Sequence, residues 1–182
     1  MEFKTLSSEY INKHPYFTAK RDSYQTPTGK IVEPYFVVEI PDSACAVAIT
    51  DDDKIVLIEQ FRYPINEECI ELPGGFTDKN EAPEKAVARE LTEETGYSFR
   101  KFYSLGSIYS NPGVLTNPTH LFLATGGVKT GGQSLDDNEE IKIILKPLGE
   151  VRKMLGNFTF KQSLHEVCLH RAFAFLDHLE NS

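Results

Sequence analysis

The first part of the chain alternates short apolar runs with turn residues, a pattern typical of β-hairpins. The stretches 16–25 and 30–40 flank a turn at 26–29 that contains a proline and a glycine, residues that supply turn backbone conformations. The runs 45–49 and 54–60 flank three aspartates in the same way, and their β-branched residues favour strands. The pattern predicts two hairpins, of which the second lies deeper in the core.

The period changes at residues 83–95, where Val87 and Leu91 stand one helical turn apart. Pro83 suits a first helical turn, and Gly96 stands where a C-cap glycine belongs. Further strands are predicted at 69–72, 102–110, 120–125 and 141–148, a flexible segment at 126–139, and a second amphipathic helix at 164–179. The alternation predicts two helices packed against a mixed sheet.

Composition narrows the class of protein. A chain of 182 residues that is 40% hydrophobic suits one compact domain with a small appendage. The net charge of -8 argues against nucleic acid as a partner. Three widely spaced cysteines, Cys45, Cys69 and Cys168, favour buried thiols in a reducing compartment over a disulfide framework. With no apolar run long enough for a membrane span or a signal peptide, we expect a soluble cytoplasmic protein that binds no membrane.

The helix at 83–95 places three carboxylates on one face. Glu90, Glu93 and Glu94 stand at positions i, i+3 and i+4, and such like charges repel one another. A solvated acidic face is the alternative interpretation, but Arg89 and Lys85 are expected to point away, which leaves the repulsion uncompensated. Carboxylate oxygens without histidine or cysteine suit Mg²⁺ or Mn²⁺. The spacing therefore favours a metal site.

Residues 75–97 resemble the signature of the Nudix hydrolases, which is glycine, five residues, glutamate, seven residues, then Arg-Glu-apolar-x-Glu-Glu-x-Gly-apolar. The matching positions are Gly75, Glu81, Arg89, Glu90, Leu91, Glu93, Glu94, Gly96 and Tyr97. The resemblance implies an α/β fold, namely a Nudix-type α/β/α sandwich with a mixed β-sheet and an N-terminal β-hairpin appendage.

The resemblance also implies a cofactor and its ligands. Mg²⁺, with Mn²⁺ as a substitute, would be held by Glu90, Glu93, Glu94 and the carbonyl of Gly74. Glu81 and Arg89 would hold the loop and the helix together.

Longer stretches resemble the subgroup that cleaves ADP-ribose and other nucleoside diphosphate sugars, including TGKIVEPYFVVE and LIEQFRYPINEECIELPGGF. A marker of the subgroup is Pro112, 15 positions after Tyr97, although an ordinary turn proline is the alternative. The implied reaction yields a nucleoside monophosphate and a sugar phosphate. Residues 114–118 lack the acids that many ADP-ribose pyrophosphatases carry there, so GDP-mannose is a competing substrate.

Two other functions stay open from the sequence. One is a Nudix hydrolase of a dinucleoside polyphosphate or an oxidised nucleotide. The other is a non-catalytic module that senses nucleotide sugars, although such modules usually lack one of the signature glutamates, and all are present here.

The resemblance divides the chain into N-terminal strands at 1–42 and a hydrolase domain at 43–182. Members of the subgroup form homodimers whose N-terminal strands reach the partner and help to bind the nucleoside. Tyr35 or Phe36 would stack on the base, and Arg62 would contact a phosphate or the base. The alternatives are aromatic side chains in a core or an interface, and a structural ion pair for Arg62.

The catalytic base of the subgroup is a glutamate on a loop outside the signature. Glu139 is the first candidate and Glu140 the second, because the acidic segment 136–140 stands in the matching place; Glu93 is a further catalytic candidate. A solvated connector is the alternative for this segment. The histidines show no metal-ligand spacing, so His120, His165 and His170 are expected to be structural or exposed.

Overall fold

A computed structural model describes residues 2–180. The chain divides into two compact units. Unit 1 comprises Met1–Asp42 and Tyr109–Pro118, and unit 2 comprises Ser43–Ile108 and Thr119–Ser182.

Unit 1 contains a three-stranded antiparallel sheet made of β1 (Lys4–Asn12), β2 (Thr18–Gln25) and β3 (Ile31–Glu39). Strands β2 and β3 form the predicted hairpin. The structure adds a third strand to this hairpin, because β1 pairs along β2. All nine residues of β1 are exposed, so its sequence carries no alternation between a buried and an exposed face that could reveal a strand.

The segment 109–118 belongs to unit 1 through backbone pairing with β3. The N–H of Val38 donates to the carbonyl of Val114 at 2.8 Å, and the N–H of Thr116 donates to the carbonyl of Val38 at 3.2 Å. These bonds satisfy backbone groups that would otherwise need water. The loop therefore lies along an edge of the three-stranded sheet.

Unit 2 is built on one mixed sheet. Its strands are β4 (Ser43–Thr50), β5 (Lys54–Arg62), β6 (Glu67–Glu71), β7 (Gly74–Phe76), β8 (Tyr97–Ser98), β9 (Lys101–Ile108), β10 (Thr119–Lys129) and β11 (Ile141–Pro147), and its helices are α1 (Pro83–Thr95), α2 (Leu148–Gly156) and α3 (Ser163–Glu180). The central order is β11-β5-β4-β10-β8, with β6 on β5, β7 on β4 and β9 on β10. Only the pairing of β4 with β10 is parallel among the described strands.

Strand β4 separates two layers of core. Cys45, Val47 and Ile49 pack in a cluster with side chains of α2 and α3, whereas the intervening alanines pack in a second cluster with Val87 and Leu91 of α1. Successive side chains of a strand point to opposite faces, and small residues let α1 approach the sheet closely. The sheet lies between α1 and the α2–α3 pair, which confirms the predicted α/β/α sandwich.

Two further elements differ from the expectation. Helix α2 was not predicted, because nine residues after Pro147 are too few to show a helical period. The flexible segment at 126–139 was wrong in its first part, since β10 continues to Lys129. The pairing of β10 with β4 is irregular between Ala124 and Gly127. Gly126 in this segment has a φ of +71°, a conformation that glycine adopts readily. No helix within residues 2–180 is long and apolar enough to cross a membrane.

The backbone conformation at the end of α1 requires glycine at position 96. Its φ is +71°, and an added Cβ would lie 2.5 Å from the carbonyl oxygen of Gly131. We expect Gly96→Ala to lower the free energy of unfolding by about 2–3 kcal/mol, because backbone strain and a steric clash add. Urea-induced unfolding measures the change.

Gly149→Ala is the matched control. An added Cβ there meets nothing within 4 Å, so this substitution in α2 should be neutral or stabilising by up to about 1 kcal/mol. Equal urea midpoints for wild type and Gly96→Ala would show that position 96 does not require glycine.

Candidate active site

Helix α1 carries its carboxylates along the margin of the core. Val87 and Leu91 are fully buried against the alanines of β4, and the N–H of Gly96 donates to the carbonyl of Thr92 at 2.9 Å where the helix ends. This packing fixes the rotation of the helix about its axis. Glu94 is thereby turned inward and is only 4% exposed.

Glu94 is a buried carboxylate held by the backbone of β7. Its Oε2 accepts the N–H of Gly74 at 2.8 Å. Burial raises the pKa of Glu94 to about 8; the bond from Gly74 opposes this shift, and the negative charges of Glu90 and Glu139 add to it. The positive charge of Arg62 also opposes the shift but does not outweigh burial, so this carboxylate fits a cationic ligand.

Glu90 lies against the glycine that follows. A Cβ added to Gly75 would lie 2.6 Å from the carboxyl carbon of Glu90, so any larger residue would displace this carboxylate. Burial raises the pKa of Glu90, while Arg89 acts in the opposite direction. The glycine pair of β7 therefore allows the backbone to reach two carboxylates of α1, which is the close approach that the sequence break suggested.

Arg89 lies among the acids rather than away from them, so the expected orientation was wrong. Its Nη1 donates to Glu90 at 2.8 Å and to Glu93 at 3.0 Å. Its Nε and Nη2 bind both oxygens of Glu81 at 3.2 and 3.0 Å, and Nη2 also reaches the carbonyl of Phe76 at 3.1 Å. The long side chain of Arg89 folds back along the helix. The rotation angle of a position gives the direction of its Cβ and not that of the end of a long side chain.

This network joins the loop before α1 to the helix, as predicted for Glu81 and Arg89. Glu81 also accepts the N–H of Asp78 at 2.9 Å, and Arg89 holds the pKa of Glu81 below its usual range. Within residues 2–180, no group of three or more Asp, Glu, His or Cys side chains is gathered closely enough to hold a metal ion. The chemistry of the donors nevertheless fits a hard divalent cation, because the charged side chains that α1 offers at this site, Glu90, Glu93 and Glu94, are carboxylates.

Glu139 lies in a closed turn within electrostatic range of α1. Its Oε2 accepts the N–H of Asp136 at 3.2 Å, and its own N–H donates to the carbonyl of Asp136 at 3.0 Å. Its negative charge raises the pKa of both Glu90 and Glu94. Glu140, the second candidate for the base, is exposed, whereas Glu139 is half-buried.

Arg62 is an ion-pair partner of Glu71, which was not among the candidate site residues predicted from the sequence. Nε and Nη2 of Arg62 bind the two oxygens of Glu71 at 2.9 and 2.5 Å, and Gln60 donates to the same carboxylate at 3.4 Å. Glu71 is 2% exposed and the Arg62 side chain 40% exposed. The sequence signal for this ion pair was the charged Glu71 between two apolar residues, since a buried charge needs a partner.

The remaining predicted residues belong to unit 1. The hydroxyl of Tyr35 donates to the carbonyl of Gly113 at 2.7 Å, and its ring packs edge-on against Tyr24 with centroids 5.5 Å apart. Phe36 is 55% exposed, and Pro112 is exposed. The ring of Phe36 is thus the more accessible of the two candidate stacking surfaces.

A mixed sheet between helices, with helix-borne carboxylates at a Gly-Gly strand, defines an α/β/α protein with an acidic, metal-compatible site. The chain belongs to the Nudix family: residues 39–165 match the model described as NUDIX domain. Residues 3–38 match the model described as Nucleoside diphosphate sugar hydrolase N-terminal domain. These matches confirm the family that the residues 75–97 indicated.

Curated relatives and a solved structure agree with this membership. The chain is 31% identical over 156 residues to an ADP-ribose pyrophosphatase of Bacillus subtilis, covering 85% of this chain and 84% of that protein. It is 31% identical over 175 residues to an ADP-sugar pyrophosphatase of Mus musculus, covering 87% and 79%. The structure titled "Crystal structure of ADP compounds hydrolase" superposes with a TM-score of 0.85 at 18% identity, covering 100% of this chain and 98% of that one, which shows a shared fold.

His165 supports the strand end that leads into the glycine pair, and its environment predicts a pH dependence. Its Nδ1 accepts the N–H of Leu72 at 3.3 Å, and burial lowers its pKa to about 4. The folded state thus binds fewer protons than the unfolded state between pH about 6.5 and about 4. Stability contributed by neutral His165 is present above pH 6.5 and lost as the pH falls through this window, by on the order of 3 kcal/mol.

His165→Gln keeps an acceptor for Leu72 and removes the titrating group. We expect its free energy of unfolding, measured by urea titration from pH 7 to pH 4, to fall less steeply than that of wild type. Parallel pH profiles for the two proteins would show that the pKa of His165 is the same in the folded and unfolded states.

Proposed function

We propose that the chain hydrolyses the diphosphate bond of nucleoside diphosphate sugars, such as ADP-ribose or GDP-mannose, with Mg²⁺ as cofactor and Mn²⁺ as a substitute. The observation that carries the proposal is the set of carboxylates Glu90, Glu94 and Glu139 within electrostatic range of one another, on a Nudix fold. The match of residues 3–38 to a nucleoside diphosphate sugar hydrolase domain supports the substrate class.

The residues that would hold the cation are Glu90, Glu93, Glu94 and the carbonyl of Gly74. Arg89 binds one oxygen of Glu90 and one of Glu93, which orients both side chains. When bound, a divalent cation neutralises phosphate charge and acidifies the attacking water. Burial raises the pKa of Glu94 to about 8, so a bound cation would favour the ionised form of this side chain.

The chain's own residues then divide the remaining work. Glu139 takes the proton of the water whose oxygen bonds to phosphorus, while the bridging P–O bond breaks and the other phosphate leaves as its anion. Arg62, whose side chain is 40% exposed, would bind a phosphate or the base. Phe36, with Tyr35 and Pro112, is the proposed nucleoside contact from unit 1.

A substrate panel tests the reaction and the metal ligands. ADP-ribose, GDP-mannose, UDP-glucose and diadenosine tetraphosphate are incubated with Mg²⁺, and the release of nucleoside monophosphate is followed. We expect hydrolysis of a diphosphate sugar, loss of activity with EDTA, and a fall of about two orders of magnitude in Glu94→Gln, because electrostatic stabilisation is lost. Glu84→Gln, an exposed position on the same helix, is the matched control.

The same assay distinguishes the two candidates for the catalytic base, Glu139 and Glu140. Glu139→Gln should lower kcat by about 100-fold or more, whereas Glu140→Gln should stay near wild type. If only diadenosine tetraphosphate is cleaved, the proposed substrate class is wrong. If a diphosphate sugar binds without turnover, the chain is a sensing module. Unchanged rates in Glu94→Gln would remove the metal-ligand assignment.

We also propose a homodimer formed through unit 1 and a cytoplasmic location. The three cysteines are free and buried, as suits a reducing compartment.

On unit 1, Phe3 and Ile11 expose 65% and 61% of their surface, and exposed apolar side chains favour an interface. Sedimentation should show a dimer that Ile11→Lys dissociates, while Phe158→Lys in unit 2, at an 85% exposed position, leaves it intact. A monomeric wild type would exclude the dimer.

A further inference from the structure

The segment that follows β10 is bonded to the C-terminal end of α1. The N–H groups of Thr130 and Gly131 donate to the carbonyl of Gly96 at 2.9 and 3.2 Å, and the N–H of Ser134 donates to the carbonyl of Glu93 at 2.8 Å. The last carbonyls of a helix have no partners within it. Residues 130–134, here called the strap, therefore supply these partners.

Gln133 extends the strap with its side chain. Its Nε2 donates to the carbonyl of Glu94 at 2.8 Å and to the carbonyl of Ile141 at 2.9 Å. A primary amide offers two donors on one nitrogen, and both are used here. Glu94 lies at the end of α1, and Ile141 is the first residue of β11, so one amide group joins three parts of the chain.

These three parts enclose the loop 134–140. The loop begins directly after Gln133 and ends directly before Ile141, and the amide group fixes both of its ends to α1. Inside it, the turn between Asp136 and Glu139 is closed by its own pair of hydrogen bonds. A compact turn on fixed ends has few ways to move Glu139 relative to α1.

A simple helix cap would not need this geometry. One donor, such as a lysine or arginine, suffices to cap a terminal carbonyl, and the backbone of the strap already caps two others. The second bond, to Ile141, contributes nothing to the helix end. It does set the distance between the helix that carries Glu90 and Glu94 and the strand that follows Glu139.

We propose that Gln133 is a positioning residue for hydrolysis: by joining Glu94 and Ile141, it holds the loop 134–140 so that Glu139 faces the carboxylates of α1. This inference rests on the proposed function, in which Glu139 is the base. It assigns no contact between Gln133 and the substrate. A displacement of the base by about 1 Å can cost on the order of 100-fold in rate.

Gln133→Leu removes both donors at similar size, and Gln133→Arg restores donors. We expect Gln133→Leu to lower kcat by about 10- to 100-fold with KM within about twofold of wild type, and Gln133→Arg to recover part of the loss. Ser134→Ala is the matched control, because the strap uses only the backbone of Ser134. Gln133 is exposed, so the variants should fold, which thermal unfolding verifies.

A double variant separates positioning from general damage. In the Glu139→Gln background, Gln133→Leu should lower kcat no further, since residues that act through one group are not additive. An equal loss in both backgrounds, or a raised KM with unchanged kcat, would overturn the inference.

Hydrogen exchange of the amides in 134–140 provides a readout that does not depend on activity. Gln133→Leu should exchange faster than wild type at Ser134 and Asp136, whose N–H groups are bonded in the structure. Unchanged exchange would overturn the role of Gln133 even if hydrolysis is confirmed. Faster exchange in a chain that hydrolyses no diphosphate would reject the proposed function and leave the attachment of the loop established.

Discussion

The hydrogen bond from the Gly74 amide to the Glu94 carboxylate joins the sheet to the acidic helix, and the rest of unit 2 is arranged to permit it. Burying a carboxylate is unfavourable unless hydrogen bonds or charges compensate, and burial raises the pKa of Glu94 although the amide of Gly74 opposes the shift. The approach is permitted by alanines on the inner face of β4 and by Gly74, where an added Cβ would lie 2.2 Å from the carbonyl oxygen of Ala44. The core is thus shaped around a group that favours a cation.

Arginines distribute the charge around that group. Arg89 binds Glu81, Glu90 and Glu93, so repulsion on α1 is reduced without neutralising the buried Glu94. On β5, Arg62 neutralises the carboxylate of Glu71 and keeps part of its own side chain exposed. Both arrangements place positive charge among the carboxylates of a chain whose net charge is -8.

The end of α1 links the carboxylates of the helix to the loop beyond β10. Terminal carbonyls of a helix must find donors, and the strap at 130–134 provides them. The same residues precede the turn that contains Glu139. A requirement of helix termination is therefore met by the segment that positions the candidate base, which couples local stability to the geometry of the site.

The sequence by itself determined the elements whose signals are local. The helix at 83–95, its glycine cap, the central hairpin and the family signature at 75–97 follow from period, turn chemistry and spacing. Tertiary structure alone decided the rest. The direction of Arg89, the pairing of Glu71 and the bonds of Gln133 depend on partners far along the chain, and β1 and α2 are too exposed or too short to show a period. Local patterns record which face of an element is buried, whereas the partner of a polar side chain is fixed only when separate elements pack together.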